Sequence, residues 1–295
     1  MQPDLTIFSI PKPFTDKTRG NQKNAINSWR RLSPTCEIIL FGGDDECAEF
    51  MRETGNRHVP EVTCSSLGTP LLDDVFAKAQ AMARGRVLMF TNCDMLYFDD
   101  LPKAIARVPF DRYMLCGRRW DLDVSEELAF NDEDAWKGLR EKIGREGRLH
   151  GHSGLDFFIF PRALRIDMPP MVVGRPGWDS WFMWYLRAQR IPVIDATGSI
   201  RALHQNHDYT HLKFGAQQYT GLERQINYRL AGGYMHMLGL READWRLSAG
   251  QVVRPSWPGR ALSLLAPTWA YRFALSVVRN VRQGRIPPAP VEPQK

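Results

Sequence analysis

The chain has 295 residues, 43% of them hydrophobic and nine of them tryptophan, which excludes a disordered polypeptide and leaves room for a sizeable core. Its formal net charge of +6 is concentrated near the end: residues 246–291 carry Arg246, Arg254, Arg260, Arg272, Arg279, Arg282 and Arg285 and no Asp, Glu or Lys, so the body is close to neutral and offers no basic face for a nucleic acid. Five scattered cysteines without Cys-x-x-Cys spacing exclude a disulfide framework and a zinc knuckle, and Cys36 and Cys93 read as small buried hydrophobes.

The first residues lead straight into Leu5-Thr-Ile-Phe-Ser-Ile10 with no basic leader, and no segment offers the roughly 18 uninterrupted apolar residues of a membrane span. The expected location is the cytoplasm. In chain order, strands are predicted over 5–10 and 37–41 and helices over 21–31 and 45–53. A helix over 70–84 then leads to a strand over 86–91, and a further helix starts at Asp99-Asp100, where acids suit the positive end of the helix dipole. This alternation predicts an α/β fold with a mostly parallel sheet flanked by helices.

The run Val87-Leu-Met-Phe90 has no polar alternation and reads as a central parallel strand covered on both faces. It ends on Asn92-Cys-Asp94, and open α/β sheets bind ligands beyond the carboxyl ends of such strands. Continued strand alternation would put Asn92 and Asp94 on one side. Simple chain reversal is the plainer use of an Asn-x-Asp triplet.

Residues 121–148 are charged and poor in periodic apolar positions, predicting a helical excursion over the same end of the sheet. Gly154-Leu-Asp-Phe-Phe-Ile-Phe160 reads as a strand, 178–190 as an aromatic helix, and Pro192-Val-Ile194 as a short strand. A histidine-rich loop, Leu203-His-Gln-Asn-His-Asp-Tyr-Thr-His211, follows. The Pro-rich end, 286–295, is expected to be disordered.

Several side chains are suited to chemistry. Asp156 interrupts an apolar run, so its carboxylate needs either a function or a buried partner such as Arg162 or His152. Asp179, in Gly174-Arg-Pro-Gly-Trp-Asp179, sits at the mouth of the aromatic helix, where it can cap backbone amides or serve as a general base mounted between Trp178 and Trp181. His204, His207 and His211 near Asp208 suit a metal or phosphate contact. Gly42-Gly-Asp-Asp45 after a strand permits close approach to a ligand, with Asp44 an acceptor for a nucleobase or ribose. Lys12 and Arg19, after the first strand, can counter a diphosphate, although surface solvation is the plainer role for Lys12. Nothing matches Gly-x-Gly-x-x-Gly or a Walker loop, which argues against a dinucleotide site and a P-loop.

Lys12-Pro-Phe14, Gln22-Lys-Asn-Ala-Ile-Asn-Ser-Trp29, Glu37-Ile-Ile-Leu-Phe-Gly-Gly-Asp44, Gly68-Thr-Pro-Leu-Leu72 and Thr91-Asn-Cys-Asp94 occur in an order that resembles bacterial GT-A-fold glycosyltransferases of the family 2-like type. The blocks at Gly154-Leu-Asp-Phe-Phe, Gly174-Arg-Pro-Gly-Trp-Asp179 and Leu203-His-Gln-Asn-His-Asp-Tyr209 look like the acceptor half of that group. The resemblance spans about 5–247 and implies a GT-A domain over 1–247, with a nucleotide-sugar half to about 117 and an acceptor half over 118–247. It implies a nucleotide-diphospho-sugar donor contacted by Pro11, Lys12, Arg19, Asp44, Asn92 and Asp94, and acceptor or sugar contacts at Asp156, Trp178 and Trp181. It implies Mn²⁺ or Mg²⁺ at Asp94, with His204 or His207 completing the coordination, and Asp179 as the catalytic base of an inverting transfer; a retaining transfer, with Asp156 an acceptor or donor-sugar contact, is the alternative. Asn92 departs from the family's Asp-x-Asp pattern at its first position.

Beyond the body, Leu262, Leu265, Trp269, Phe273, Val277 and Val281 form a helical stripe over 248–285, broken by Pro267 and flanked by arginines. This composition suits a helix lying on the anionic inner face of the cytoplasmic membrane, beside a glycan or lipid-linked acceptor. A helix docked on the catalytic body is the alternative. Rival classes are a nucleotidyltransferase, which usually carries a glycine-rich basic loop that Ser9-Ile-Pro-Lys-Pro-Phe14 does not supply, and a non-catalytic membrane-peripheral scaffold.

Overall fold

The computed structural model describes residues 4–124, 126–152, 154–206 and 221–255. The expected α/β architecture is present. In chain order the regular elements begin with β1 (Leu5–Ser9), α1 (Arg19–Arg30), β2 (Glu37–Phe41), α2 (Asp45–Glu53), β3 (Arg57–Val59), α3 (Leu72–Met82), β4 (Val87–Thr91), β5 (Met95–Leu96) and α4 (Asp100–Ile105). They continue with β6 (Met114–Cys116), β7 (Arg119–Leu122), α5 (Glu133–Glu146), β8 (Arg148–Leu149), β9 (Phe157–Pro161), α6 (Trp178–Ala188), β10 (Val193–Asp195), β11 (Ala202–Gln205), α7 (Leu222–Leu230), β12 (Trp245–Ser248) and β13 (Gln251–Val253).

A nine-stranded sheet runs β13-β12-β10-β6-β9-β4-β1-β2-β3. The pairs β4/β1, β1/β2 and β2/β3 are parallel, as are β6/β10 and β10/β12, whereas β9 runs antiparallel to both of its neighbours, β4 and β6. β4 is therefore central, as its apolar run predicts, but parallel on one side only. Alternate strand residues feed two cores, because side chains along a strand point to opposite faces. Phe8, Phe41, Phe90, Phe158 and Phe160 pack on the side of α3 and α6, and Ile7, Leu40, Met89 and Ile159 pack on the side of α1, α2 and α4. Phe76 of α3 lies between Phe8, at 5.2 Å edge-on, and Phe90, at 5.5 Å stacked.

A second sheet, β5-β11-β7-β8, sits beyond the carboxyl end of β4. It corrects two expectations. The stretch that reads as a histidine-rich loop begins as a strand, since Leu203 and His204 pair antiparallel with Leu96 and Met95 of β5 and parallel with β7. The charged excursion likewise contains β7 and β8, with only 133–146 helical; Trp136, Leu139 and Ile143 of α5 close a small core over Leu96, Leu122 and Leu203. Among the described residues, no helix is long and apolar enough to cross a membrane. The start of the region expected to be helical, 248–285, is strand instead: Gln251–Val253 forms β13, paired antiparallel with β12, because the sheet edge supplies its hydrogen bonds. The rest of that basic region, 256–285, and the Pro-rich end lie outside the described residues, as do His207, Asp208 and His211.

Candidate active site

β4 ends at Thr91 and the chain turns at once: the Met95 amide donates to the Asn92 carbonyl at 3.3 Å, and Asp94 sits in that turn. Asn92 and Asp94 are thus presented by a turn and not by strand alternation. The turn is braced from below. Ser9 Oγ donates to the Thr91 carbonyl at 2.6 Å, the Trp29 indole donates to the Met95 carbonyl at 2.8 Å, and Thr91 Oγ1 bonds the Tyr97 hydroxyl at 2.6 Å. Burial, with nearby Asp156 and Asp94, holds the Tyr97 phenol well above its ordinary pKa, so it remains a neutral brace. Gln205, fully buried at the end of β11, donates both its backbone and its side-chain N–H to the Asp94 carbonyl, at 3.3 and 3.2 Å.

The pairing of β5 with β11 carries His204 to Asp94. His204 is 5% exposed; its Nε2 lies 3.9 Å from Asp94 Oδ2 and its Nδ1 3.4 Å from Asp121 Oδ1. Lys12 Nζ reaches the same Asp94 Oδ2 at 3.1 Å. Solvation alone therefore does not describe Lys12. Its backbone is held on both sides by buried Gln22, which accepts from the Lys12 amide at 2.8 Å and donates to the Lys12 carbonyl at 3.0 Å.

Three further residues join the site. Asp121 on β7 bridges His204 to His150, whose Nδ1 lies 2.7 Å from Asp121 Oδ2, and Arg119 ties Asp121 to Asp156 with contacts of 2.8 Å to each. Burial pushes the Asp121 carboxyl up, but the adjacent His204 imidazole, the hydrogen bond with His150 and the charge of Arg119 outweigh it and hold the group below the usual carboxylate range. Burial likewise works against the Arg119 charge, and Asp156 and Asp121 more than restore it, raising its pKa. Asn92 Nδ2 donates to Asp156 Oδ1 at 2.7 Å, and the Asn92 amide donates to the Asp156 carbonyl at 3.1 Å. Asp156 stands just before β9, not inside it, and its partner is Arg119, not Arg162 or His152. Its second oxygen, Oδ2, is buried and accepts no hydrogen bond from a described residue.

The remaining predicted residues sit nearby in the fold with more structural duties. Asp44 caps α2, accepting from the Cys47 amide at 2.9 Å and from the Phe14 amide at 2.7 Å, which fastens the loop after β1 to the loop after β2. Buried Pro11 packs beneath Gly43, where an added Cβ would stand 3.1 Å from its ring at a φ of +102°. Arg19 opens α1 and pairs with Asp16 and Glu46. Trp178 and Trp181 are 6% exposed; Trp178 lies edge-on to Phe90 at 5.2 Å, which seats the start of α6 against β4. Half-buried Asp179 follows in the first turn of α6, and its Oδ1 accepts from the Gly177 amide at 3.4 Å and the Ser180 hydroxyl at 3.3 Å.

Among the described residues, no three His, Cys, Asp or Glu side chains converge as a metal cluster. Asp94 and His204 nevertheless offer a carboxylate and an imidazole facing one another. That donor pair fits a Mg²⁺ or Mn²⁺ ion whose other ligands come from a diphosphate, because these ions are often held by one or two protein carboxylates and substrate phosphates.

Arg119, Asp121 and His150 were missed by sequence reasoning. The available signal was Arg119-Trp-Asp121: two charges spaced by two, on one face if the segment is a strand.

No family model and no curated protein matches the chain. Similar solved structures include glucosyl-3-phosphoglycerate synthase of Mycobacterium tuberculosis, at 14% identity over 77% of this chain and 79% of that one, with a TM-score of 0.46. The same synthase in complex with Mg²⁺ and uridine diphosphate aligns at 14% identity over 86% and 87%, TM-score 0.46. The mannosyltransferase PcManGT of Pyrobaculum calidifontis, in complex with GDP-Man and Mn²⁺, aligns at 12% identity over 97% and 77%, TM-score 0.46. At these values the likeness assigns no residue role and no substrate to this chain.

Proposed function

We propose that this chain is a GT-A-type glycosyltransferase that moves a sugar from a nucleotide-diphospho-sugar to an acceptor hydroxyl, with a divalent cation held at Asp94 and His204. The observation that carries this reading is the meeting of Asp94, Lys12 and His204 around one carboxylate oxygen, beyond the carboxyl end of a central strand. A bound Mg²⁺ or Mn²⁺ supplies Lewis-acid stabilisation of the departing diphosphate.

The side chains have separate tasks. Lys12 offers a positive charge to the diphosphate, and Asn92, its amino group spent on Asp156, offers its amide oxygen to the ribose or sugar. Asp156 Oδ2 suits a hydroxyl of the donor sugar. Asp179 takes the proton of the acceptor hydroxyl, whose oxygen attacks the anomeric carbon as the bond to the diphosphate breaks, inverting that centre. Trp178 and Trp181 fix the base by burying the start of its helix, and Pro11, Arg19 and Asp44 shape the nucleotide side. The catalytic unit extends from the start of the chain through β13 at Val253, and the basic stripe between there and 285 holds it at an anionic membrane surface near a glycan or lipid-linked acceptor.

The test is release of free nucleoside diphosphate from UDP-glucose, GDP-mannose and related donors with Mn²⁺. Turnover that disappears in Asp94→Ala supports the enzyme; equal release by wild type and variant points to the non-catalytic scaffold instead.

A further inference from the structure

Lys12 contacts the carboxylate oxygen that the proposed cation would use. Its ammonium lies 3.1 Å from Asp94 Oδ2, and His204 Nε2 faces that same atom at 3.9 Å. The placement is built in, because Gln22 clamps the Lys12 backbone from both sides and Asp44 anchors the Phe14 amide two residues on. The Asp94 side chain is only 9% exposed, so little solvent screens the contact from that side, whereas the Lys12 side chain is 35% exposed and reaches solvent. An ammonium and a divalent cation cannot share one oxygen at contact distance without strong like-charge repulsion.

We infer that Lys12 is a stand-in cation that makes metal binding depend on the donor's diphosphate. In the free protein its ammonium occupies Asp94 Oδ2 and disfavours the metal. When a diphosphate arrives, Lys12 moves to the phosphate oxygens, and Oδ2 becomes available to the ion that neutralises the remaining charge. Metal and nucleotide then bind synergistically, and neither binds well alone. The inference rests on the transferase reading and adds to it an order of events and a second task for Lys12.

Removing the ammonium has opposite effects on the two ligands. Binding of Mn²⁺ alone, followed by the loss of the free-ion electron paramagnetic resonance signal, is expected to tighten about fivefold in Lys12→Gln, the scale of a partly exposed ion pair. Binding of the preferred member of UDP, GDP, CDP, TDP and ADP at saturating Mn²⁺, followed by calorimetry, is expected to weaken about tenfold, the scale of a lost hydrogen bond to a charged group. Lys12→Met is expected to reproduce both shifts. Lys103→Gln, which removes the same charge from a surface pair with Asp99, is expected to cause neither.

Two shifts of the same sign, no shift, or equal shifts in Lys103→Gln would overturn the inference while leaving the transferase reading intact. Wild-type protein that binds none of the five nucleotides with Mn²⁺ would overturn both.

Discussion

Asn92 donates its side-chain amide to Asp156 Oδ1 at 2.7 Å, and a carboxylate that only accepts hydrogen bonds dictates which end of the amide faces it. The Asn92 oxygen is therefore turned away from Asp156. Asn92→Asp, which would restore an Asp-x-Asp pattern, is expected to harm the site because it sets two carboxylates against each other. A loss of about 2 kcal/mol in urea unfolding is expected, together with no gain in Mn²⁺ affinity.

Asp179 Oδ1 accepts the long hydrogen bonds from the Gly177 amide and the Ser180 hydroxyl, and an asparagine oxygen can accept both. Asp179→Asn is expected to remain folded while losing roughly 10²–10⁴-fold in turnover, the usual contribution of a general base. Near-normal turnover in the folded variant removes Asp179 from that role.

The acid stability of the fold has a definite source in Glu37. Burial raises its pKa, but hydrogen bonds from the Arg84 amide, Thr6, Arg57 and the Arg84 side chain lower it by more, so the net shift is downward. A carboxyl depressed on folding contributes stability above its unfolded pKa of about 4.3, and that contribution is lost as pH falls through the lower folded value. Glu37→Gln is expected to be less stable than wild type at neutral pH and to lose less of its remaining stability between about pH 5 and pH 2. Urea midpoints across that range check it; parallel acid limbs for the two proteins would contradict it.

Gly85 enters β4 with no room for a side chain. An added Cβ would stand 2.7 Å from the Thr6 amide nitrogen and Oγ1 and 2.8 Å from the Asp4 carbonyl, and its own amide donates to Thr6 Oγ1 at 2.9 Å. Gly85→Ala must separate β4 from β1 and is expected to cost about 2 kcal/mol, the scale of an overpacked core, measured by thermal unfolding.

Much of this arrangement is legible in the chain. The run 37–41 and the helix 45–53 appear where alternation and helical period place them, and the apolar run before Asn92 does mark a central strand ending at the site. Local pattern fails where pairing is long-range. Ala202-Leu-His-Gln205 is four residues long, with its polar side chains buried, and becomes a strand because β5 and β7 supply its hydrogen bonds. The same second sheet brings Asp121 to His204, a meeting that no spacing along the chain encodes. Asp156 shows the converse: its need for a buried partner is readable, but Arg119 is selected by the fold over the nearer Arg162, which instead donates to the Ala83 carbonyl.

Nucleotide binding tests the central claim most directly. In a thermal-shift panel of UDP, GDP, CDP, TDP and ADP, each with and without Mn²⁺, a ligand that binds only the native state raises its apparent stability. One nucleotide is expected to raise the melting temperature in the presence of Mn²⁺ and to lose that effect in Asp94→Ala. Equal stability under every condition would contradict a metal-assisted nucleotide-sugar site at Asp94.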